Sequence, residues 1–262
     1  MLYLVATPIG NLGDMTFRAV STLMESDYVL CEDTRQSRIL LAHYQISTPL
    51  ISFHKFNESM RIQQILSDLE KGKKVSLISD AGMPVICDPG ARLIQACRAK
   101  GLAITVIPGP TAFASAFALA GWSGTHFQFI GFFPRNRAEI CDLLTYPGTT
   151  LGYESPKRLC RTLLALPKST HVAVARELTK IHEEFRAGTA ESLYLYYHDL
   201  PPKGEIVLLI QRRSAPNVSD EELRALVKER MEAGESFSEA VRYVANIHGR
   251  SRRDLYNANV KS

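Results

Sequence analysis

The sequence predicts an α/β protein, with two α/β domains followed by a small helical tail. Three observations carry this. Short β-rich apolar runs alternate with amphipathic stretches through the first half, which is the order of a parallel sheet covered by helices on both faces. A second set of strand and helix patterns begins after Gly121, and beyond residue 214 the pattern is wholly helical.

In the first domain, residues 1–121, strands are expected at 2–6, 28–31, 50–53, 75–78 and 104–107. Helices are expected between them at 16–25, 37–44, 58–70, 91–100 and 111–120. The stretch 58–70 shows the logic: Met60, Ile62, Ile65, Leu66 and Leu69 form one apolar stripe, and Lys71-Gly72 closes the helix with a cation and a stop. The second domain, residues 122–213, follows a short linker around 121–124. Its strand runs are 127–133, which ends in Pro134, then 150–153, 172–175 and 206–210, with helices at 157–165 and 190–197.

The tail, residues 219–262, repeats one device. Ser219 with Glu222 and Ser236 with Glu239 have capping-box spacing, apolar residues follow each, and Gly234 and Gly249 end the two helices. Ser251 then caps a third short helix carrying Leu255 and Tyr256. Charge splits along this tail, with three basic and seven acidic side chains in 219–241 against five basic and one acidic in 242–262. Such a run is either a solvated helical end or a small RNA-contacting module that uses Arg250, Arg252 and Arg253 on phosphates.

Composition narrows the class. Of 262 residues, 45% are hydrophobic and 22% charged, which excludes disordered, collagen-like and disulfide-framework chains. The net charge of +4 is too small to name a partner. Cys31, Cys87, Cys97, Cys141 and Cys160 are odd in number and scattered, so they read as reduced thiols, and no ligand cluster suggests a metal. The amino-terminal MLYLVATPIGNLGD lacks the parts of a signal peptide, and no apolar run reaches membrane-span length. The expectation is a soluble cytoplasmic protein with no membrane partner.

Ligands of an open parallel sheet bind outside the carboxyl ends of its strands. Every unusual loop of the first half falls there: TPIGNLGD after the first strand, EDTR after the second, HKFNE after the third, SDAGMP after the fourth and PGPT after the fifth. Any one of these can simply turn the chain, but five on one rim make a cleft. The cleft is not a nucleotide-hydrolysing site, because GNLG lacks GK[ST], and no GxGxxG follows a strand. HEEFR is not HExxH, and GYESP is not the nucleophile elbow GxSxG. The stretch SDAGMPVICDPG offers open backbone amides, an apolar wall of Met83, Val85 and Ile86, and the carboxylates of Asp80 and Asp88. That combination suits a neutral heterocycle with a positive centre better than a triphosphate.

The blocks TPIGNLGD, CEDTR, SFHKFNE, SDAGMPVICDPG, IPGPTAF, GFFPR, YESPKR, ARELTKIHEEF and KGEIVLLI stand in an order that resembles the tetrapyrrole-methylase-like S-adenosylmethionine-dependent methyltransferases. Within that class they resemble the branch acting on small-subunit ribosomal RNA. DAGMP, where tetrapyrrole-modifying relatives show a GDP-type loop, favours this branch. The resemblance covers about residues 1–213, and the tail is similar to that branch's carboxyl-terminal segment.

It implies a homodimer of two-domain subunits with S-adenosylmethionine between the domains, and methyl transfer to the ribose 2′-oxygen of a cytidine in the decoding region. The cofactor contacts implied are Pro8, Ala81, Gly82, Met83, Ile86, Thr111 and Ala112, with Tyr153, Glu154 and Leu178 from the second half. Asp88, Arg176 and Glu177 are weaker candidates. For catalysis the rim offers Glu32, Asp33, Arg35, His54, Asn57, Glu58, Glu177 and Lys180. Of these, Asp33 as base or orienter, Arg35 on phosphate, and Lys180 as phosphate ligand or hydroxyl activator lead. Asp33 with Arg35 reads equally as a structural ion pair at a helix start. Two other readings stay open: carbon methylation of a tetrapyrrole, and a non-catalytic RNA-binding assembly factor.

Overall fold

In the computed structural model, the described residues are 1–122, 126–211, 220–232, 234–248, 251–253 and 255–256. Five strands form the first sheet: β1 (Leu2–Val5), β2 (Tyr28–Cys31), β3 (Leu50–Ser52), β4 (Val75–Leu77) and β5 (Ile104–Ile107). Their order is β3-β2-β4-β1-β5 and every pairing is parallel. Central strands such as Tyr28–Cys31 are buried along their length, so they read as unbroken apolar runs.

The crossing helices are α1 (Phe17–Met24), α2 (Thr34–His43), α3 (Glu58–Glu70) and α4 (Ala91–Ala99). Alternation along the strands sends neighbouring residues to opposite faces. Val5, Val29 and Cys31 pack with Ala19 and Leu23 of α1 and Leu41 of α2. Leu2, Leu4, Leu30 and Leu77 pack with Ile65, Leu66 and Leu69 of α3 and with Leu93 and Cys97 of α4. The connection leaving β1 therefore runs over one face and the connection leaving β4 over the other. Since β1 and β4 are neighbours, the point between their carboxyl ends is the topological switch where a crevice opens.

After α5 (Ala112–Ala120) come β6 (Phe127–Phe132), α6 (Arg137–Asp142), β7 (Thr149–Glu154), α7 (Pro156–Ala165), β8 (His171–Arg176), β9 (Glu184–Thr189), α8 (Ala190–Asp199) and β10 (Ile206–Ile210). The second sheet has the order β6-β7-β10-β8-β9. The pairing of β6 with β7 shifts register between Phe129 and Phe132, where Gly131 takes φ 69°; the extra residue bends the edge strand. β9 and α6 are additions to the elements expected from sequence.

In the tail, α9 (Asp220–Glu232) and α10 (Phe237–His248) close a small core of Leu223, Val227, Ala240, Val241, Val244, Ala245 and Leu255. The Ser236/Glu239 capping box is formed, the Glu239 N–H donating to Ser236 Oγ at 3.3 Å and the Ser236 N–H to Glu239 Oε2 at 3.2 Å. Ser219 and Gly249 lie outside the described residues.

The chain forms two compact units. One comprises Met1–Gly121, Val174–Phe185 and Gly204–Val207; the other comprises Trp122–Ala173, Arg186–Lys203 and Leu208–Ser262.

Candidate active site

The loops after β1 and β4 are stitched together at the switch point. Thr7 N–H donates to Gly82 O at 2.9 Å and Gly82 N–H returns to Thr7 O at 3.1 Å. The Thr7 hydroxyl, fully buried, donates to Ser79 O at 3.1 Å, while Ser79 Oγ donates to Gly82 O at 3.1 Å. Beyond this stitch Val85 and Cys87 both hold positive φ, 74° and 70°. A β-branched residue in that region is strained, and such strain persists only where packing over-determines it. Here Val85 packs into the core beside Leu77, and Gly90 (φ 126°) leaves the room: a β-carbon there would lie 2.7 Å from Leu77 Cδ2 and 3.0 Å from Val85 Cγ2. Pro8 and Gly82 are buried, Met83 and Ile86 half-buried and Ala81 exposed along this loop.

Carboxylates crowd the same edge. Burial raises the Asp80 pKa, as does the charge of Asp33. Asp88 is pushed up to about 6, first by burial and then by the charges of Glu32 and Asp80. Groups that resist ionising together are relieved by a cation, so this rim is suited to a compact positively charged ligand. Among the described residues, no cluster of His, Cys, Asp and Glu has the arrangement to hold a metal ion. From β5, Gly109 brings the fifth loop against β1, where an added β-carbon would meet Ala6 Cβ at 2.9 Å. Thr111 then starts α5 without a side-chain cap, leaving the first turn open beside Ala112.

On the second loop Asp33 is the N-cap of α2. Its Oδ1 accepts the Arg35 N–H at 2.8 Å and Arg35 Nε at 3.1 Å, and Oδ2 accepts the guanidinium at 2.8 Å. This two-pronged grip, Arg35 side-chain hydrogen bonding first, pulls the Asp33 pKa down to about 2. A base works best with a pKa near the working pH, so the geometry suits Asp33 to orienting and leaves the exposed Arg35 edge to meet an anion.

The β8–β9 connection also belongs to the first unit. Lys180 Nζ donates to Glu177 Oε1 and to Glu205 Oε2, each at 2.8 Å. Glu177 Oε1 also accepts the Glu205 N–H at 2.9 Å, and its carboxylate occupies the space a β-carbon at Gly204 would need. Glu177 and Thr179 have φ 50° and 67°, so buried Leu178 sits between two left-handed residues. Lys180 is thus a brace between two carboxylates. Sequence reasoning left out Thr7, Gly10, Gly204 and Glu205; the glycines in GNLG and KGE were the available signal.

A model of the family Tetrapyrrole (Corrin/Porphyrin) Methylases matches residues 1–194. The chain belongs to this family. Among tetrapyrrole-methylase relatives, proteins described as ribosomal RNA small subunit methyltransferase I are similar along nearly the whole chain. That of Synechocystis sp. is 41% identical over 272 residues, covering 100% of this chain and 98% of that protein. That of Halalkalibacterium halodurans is 41% identical, covering 98% and 93%. A shorter one from Thermotoga maritima is 43% identical, covering 80% of this chain and 97% of its own. Among solved structures, a diphthine synthase aligns at TM-score 0.65 with 13% identity, covering 82% of this chain and 91% of that one. A cobalt precorrin-4 methyltransferase aligns at 0.60 with 17%, covering 80% and 94%. These two share the fold.

The second unit of this tetrapyrrole-methylase fold carries Tyr153 and Glu154 at the end of β7. Tyr153 stands edge-on to Phe129 and Phe132, ring centroids 5.1 and 5.6 Å away. Glu154 is 3% exposed, and its carboxylate is consumed internally by the Ser155 N–H at 2.7 Å, the Thr162 hydroxyl at 2.5 Å and Arg158 at 3.3 Å. Only its backbone is left to meet a ligand. In the tail Arg252 and Arg253 are exposed, with Arg252 donating to Ser238 Oγ at 3.0 Å; Arg250 lies outside the described residues. No helix among the described residues is long and apolar enough to cross a membrane.

Proposed function

We propose that this protein transfers the methyl group of S-adenosylmethionine to the ribose 2′-oxygen of a cytidine in the decoding region of small-subunit ribosomal RNA. The substrate class follows the description shared by relatives about 40% identical over the whole chain. The observation that carries the cofactor is the stitched, strained Thr7/Gly82–Gly90 loop edged by carboxylates, which fits a compact ligand with a cationic centre. Pro8, Ala81, Gly82, Met83, Ile86, Thr111, Ala112 and Leu178 would hold it, with Tyr153 and the backbone of Glu154 as the second unit's candidates.

When bound, S-adenosylmethionine supplies an electrophilic methyl on a sulfonium. The chain's own work is orientation. Holding hydroxyl and methyl carbon in line is worth about 7–11 kcal/mol in favourable cases, and the fixed backbone of residues 82–90 provides a rigid floor for that alignment. Arg35, held by Asp33, faces substrate phosphate. Lys180, engaged by two carboxylates, positions Leu178.

A homodimer in the cytoplasm completes the reading. Apolar but for Ser115, α5 (AFASAFALA) fully buries only Ala116 and leaves Leu119 46% exposed, whereas a helix so uniformly hydrophobic is normally covered. A second copy supplies that cover; a sedimentation mass of one chain counts against it.

The deciding experiment incubates the protein with labelled S-adenosylmethionine and undermethylated small subunits, free RNA or a precorrin, and locates the label. The proposal requires it on a cytidine ribose. Label on a porphyrinoid carbon transfers the activity to tetrapyrroles, and an absence of cofactor binding by calorimetry leaves a non-catalytic RNA-binding factor.

A further inference from the structure

The rim segment His54-Lys55-Phe56-Asn57, which follows β3, has no part in the methyl transfer described above. Its ring is out of place for an apolar residue: Phe56 is 80% exposed, and Met60, one helical turn on, is 77% exposed. The loop that holds the ring out is nonetheless built. Asn57 Oδ1 accepts the His54 N–H at 2.8 Å, and its Nδ2 donates to Ser52 O at 3.1 Å and lies 3.3 Å from His54 Nε2. The His54 ring stands edge-on to Phe56 with centroids 6.0 Å apart, and the Lys55 ammonium lies 4.8 Å from the Phe56 centroid. Behind them Glu58 is 7% exposed with Oε1 unpaired, and Nδ1 of His54 is buried without a partner. Unsatisfied buried polar atoms beside an unburied aromatic mark a segment shaped for something other than its own stability.

We propose that Phe56 is a stacking platform for an unpaired base of the RNA substrate, with Lys55 on the adjoining phosphate. This rests on the RNA reading above. An exposed flat aromatic fixed on a loop, with a lysine ammonium over its ring, is suited to receive a splayed-out base of single-stranded RNA once that ammonium swings from the ring to the adjoining phosphate. The neighbouring groups decide what carries the affinity. β2 pairs with β3 through Cys31 and Ser52, so Glu32, Asp33 and Arg35 stand on the adjacent loop. Two carboxylates there oppose a grip driven by phosphates alone, and stacking, which is indifferent to charge, is the larger contribution. A protein partner would require a broad continuous apolar surface, whereas the exposed pair Phe56 and Met60 is flanked by exposed Lys55 and Ser59 and half-buried Asn57.

The test uses the full chain with labelled S-adenosylmethionine and undermethylated small subunits. Phe56→Ala should raise KM for subunits about 5- to 150-fold, the range of one lost base stack, with calorimetric cofactor affinity unchanged. Phe56→Trp should stay within a few-fold of wild type. Lys55→Ala should lower the salt slope of RNA binding by about 0.7, one contact on single-stranded RNA. A Phe56→Ala protein with wild-type KM overturns the platform. So does one whose sedimentation changes together with its KM, which makes the loop a contact between copies. Wild-type protein that binds cofactor and labels no RNA instead overturns the RNA reading itself.

Discussion

Lys180 lies across Gly10. A β-carbon at Gly10 would sit 2.5 Å from Lys180 Cγ and 2.9 Å from Cε, so the first loop and the β8–β9 loop touch through a glycine and an aliphatic stem. Lys180→Met keeps that stem and removes the cation shared by Glu177 and Glu205. The expected outcome is a loss of about 1–3 kcal/mol in urea unfolding and a roughly tenfold weaker S-adenosylmethionine affinity by calorimetry, with KM for RNA unchanged. Gly10→Ala should reproduce the affinity loss. An unchanged affinity in both variants would confine the brace to stability.

Asp88 sets a pH dependence whose direction is fixed. Its carboxyl, near 3.8 when unfolded, titrates at about 6 in the folded protein, so between these values the native state binds more protons than the unfolded state. Stability from this group is therefore lost as pH rises from about 4 to 6. Asp88→Asn should flatten that part of the melting-temperature profile. A cationic ligand prefers the ionised carboxylate, so wild-type cofactor affinity should climb over the same window and level off above it. An affinity that falls as pH rises would exclude this arrangement.

The Asp33–Arg35 pair separates orientation from proton removal. With a pKa of about 2, Asp33 contributes no inflection to a rate profile between pH 5 and 9. Asp33→Asn, which still caps α2, should hold kcat within tenfold, whereas loss of a general base costs about 10²–10⁴. Arg35→Ala should raise KM for RNA.

Glu154 should behave as a structural carboxylate. Glu154→Ala leaves the buried Thr162 hydroxyl and the Ser155 N–H without their acceptor, while Arg158 keeps Phe133 O and Pro134 O; it should cost about 1–3 kcal/mol, measured by denaturant unfolding. At temperatures where the variant is folded, its cofactor affinity should match wild type; a specific loss there would bring the side chain back to the ligand.

The tail's basic end is tested by salt. Replacing Arg250, Arg252 and Arg253 with Ala should weaken RNA binding and flatten its salt dependence while leaving cofactor affinity intact. An unchanged slope assigns the segment to the Leu223–Leu255 helical core alone.

The central strands β1, β2 and β4 were legible because parallel strands buried on both faces read as short apolar runs, and the edge strands β3 and β5, mostly half-buried, by their β-branched residues. β9, EFRAGT, offered no such run: it is an edge strand, half-buried to exposed, and six-residue α6 is too short to show a period. The helix expected at 37–44 starts at Thr34 because Asp33 caps it, a role hidden by the same residue's promise as a catalyst. The glycines and prolines of TPIGNLGD, SDAGMP and PGPT marked the ends of β1, β4 and β5, where the chain does leave the sheet. The left-handed backbones of Val85, Cys87, Glu177 and Thr179 were invisible, since no local preference places a non-glycine residue there; tertiary packing does. Lys180's ties to Glu177 and Glu205 likewise depend on a meeting of distant segments.

The first compact unit is discontinuous in the chain, with Val174–Phe185 and Gly204–Val207 returning to it after Gly121. A fragment ending at Gly121 would own the stitched loop and lack Lys180, Glu177 and Leu178. On the proposed cofactor site, neither a gene-level truncation nor a proteolytic nick near residue 122 should yield a half that binds S-adenosylmethionine, and ligand protection against cleavage should extend to the distant segments 174–185 and 204–207 as well as to the amino-terminal loops.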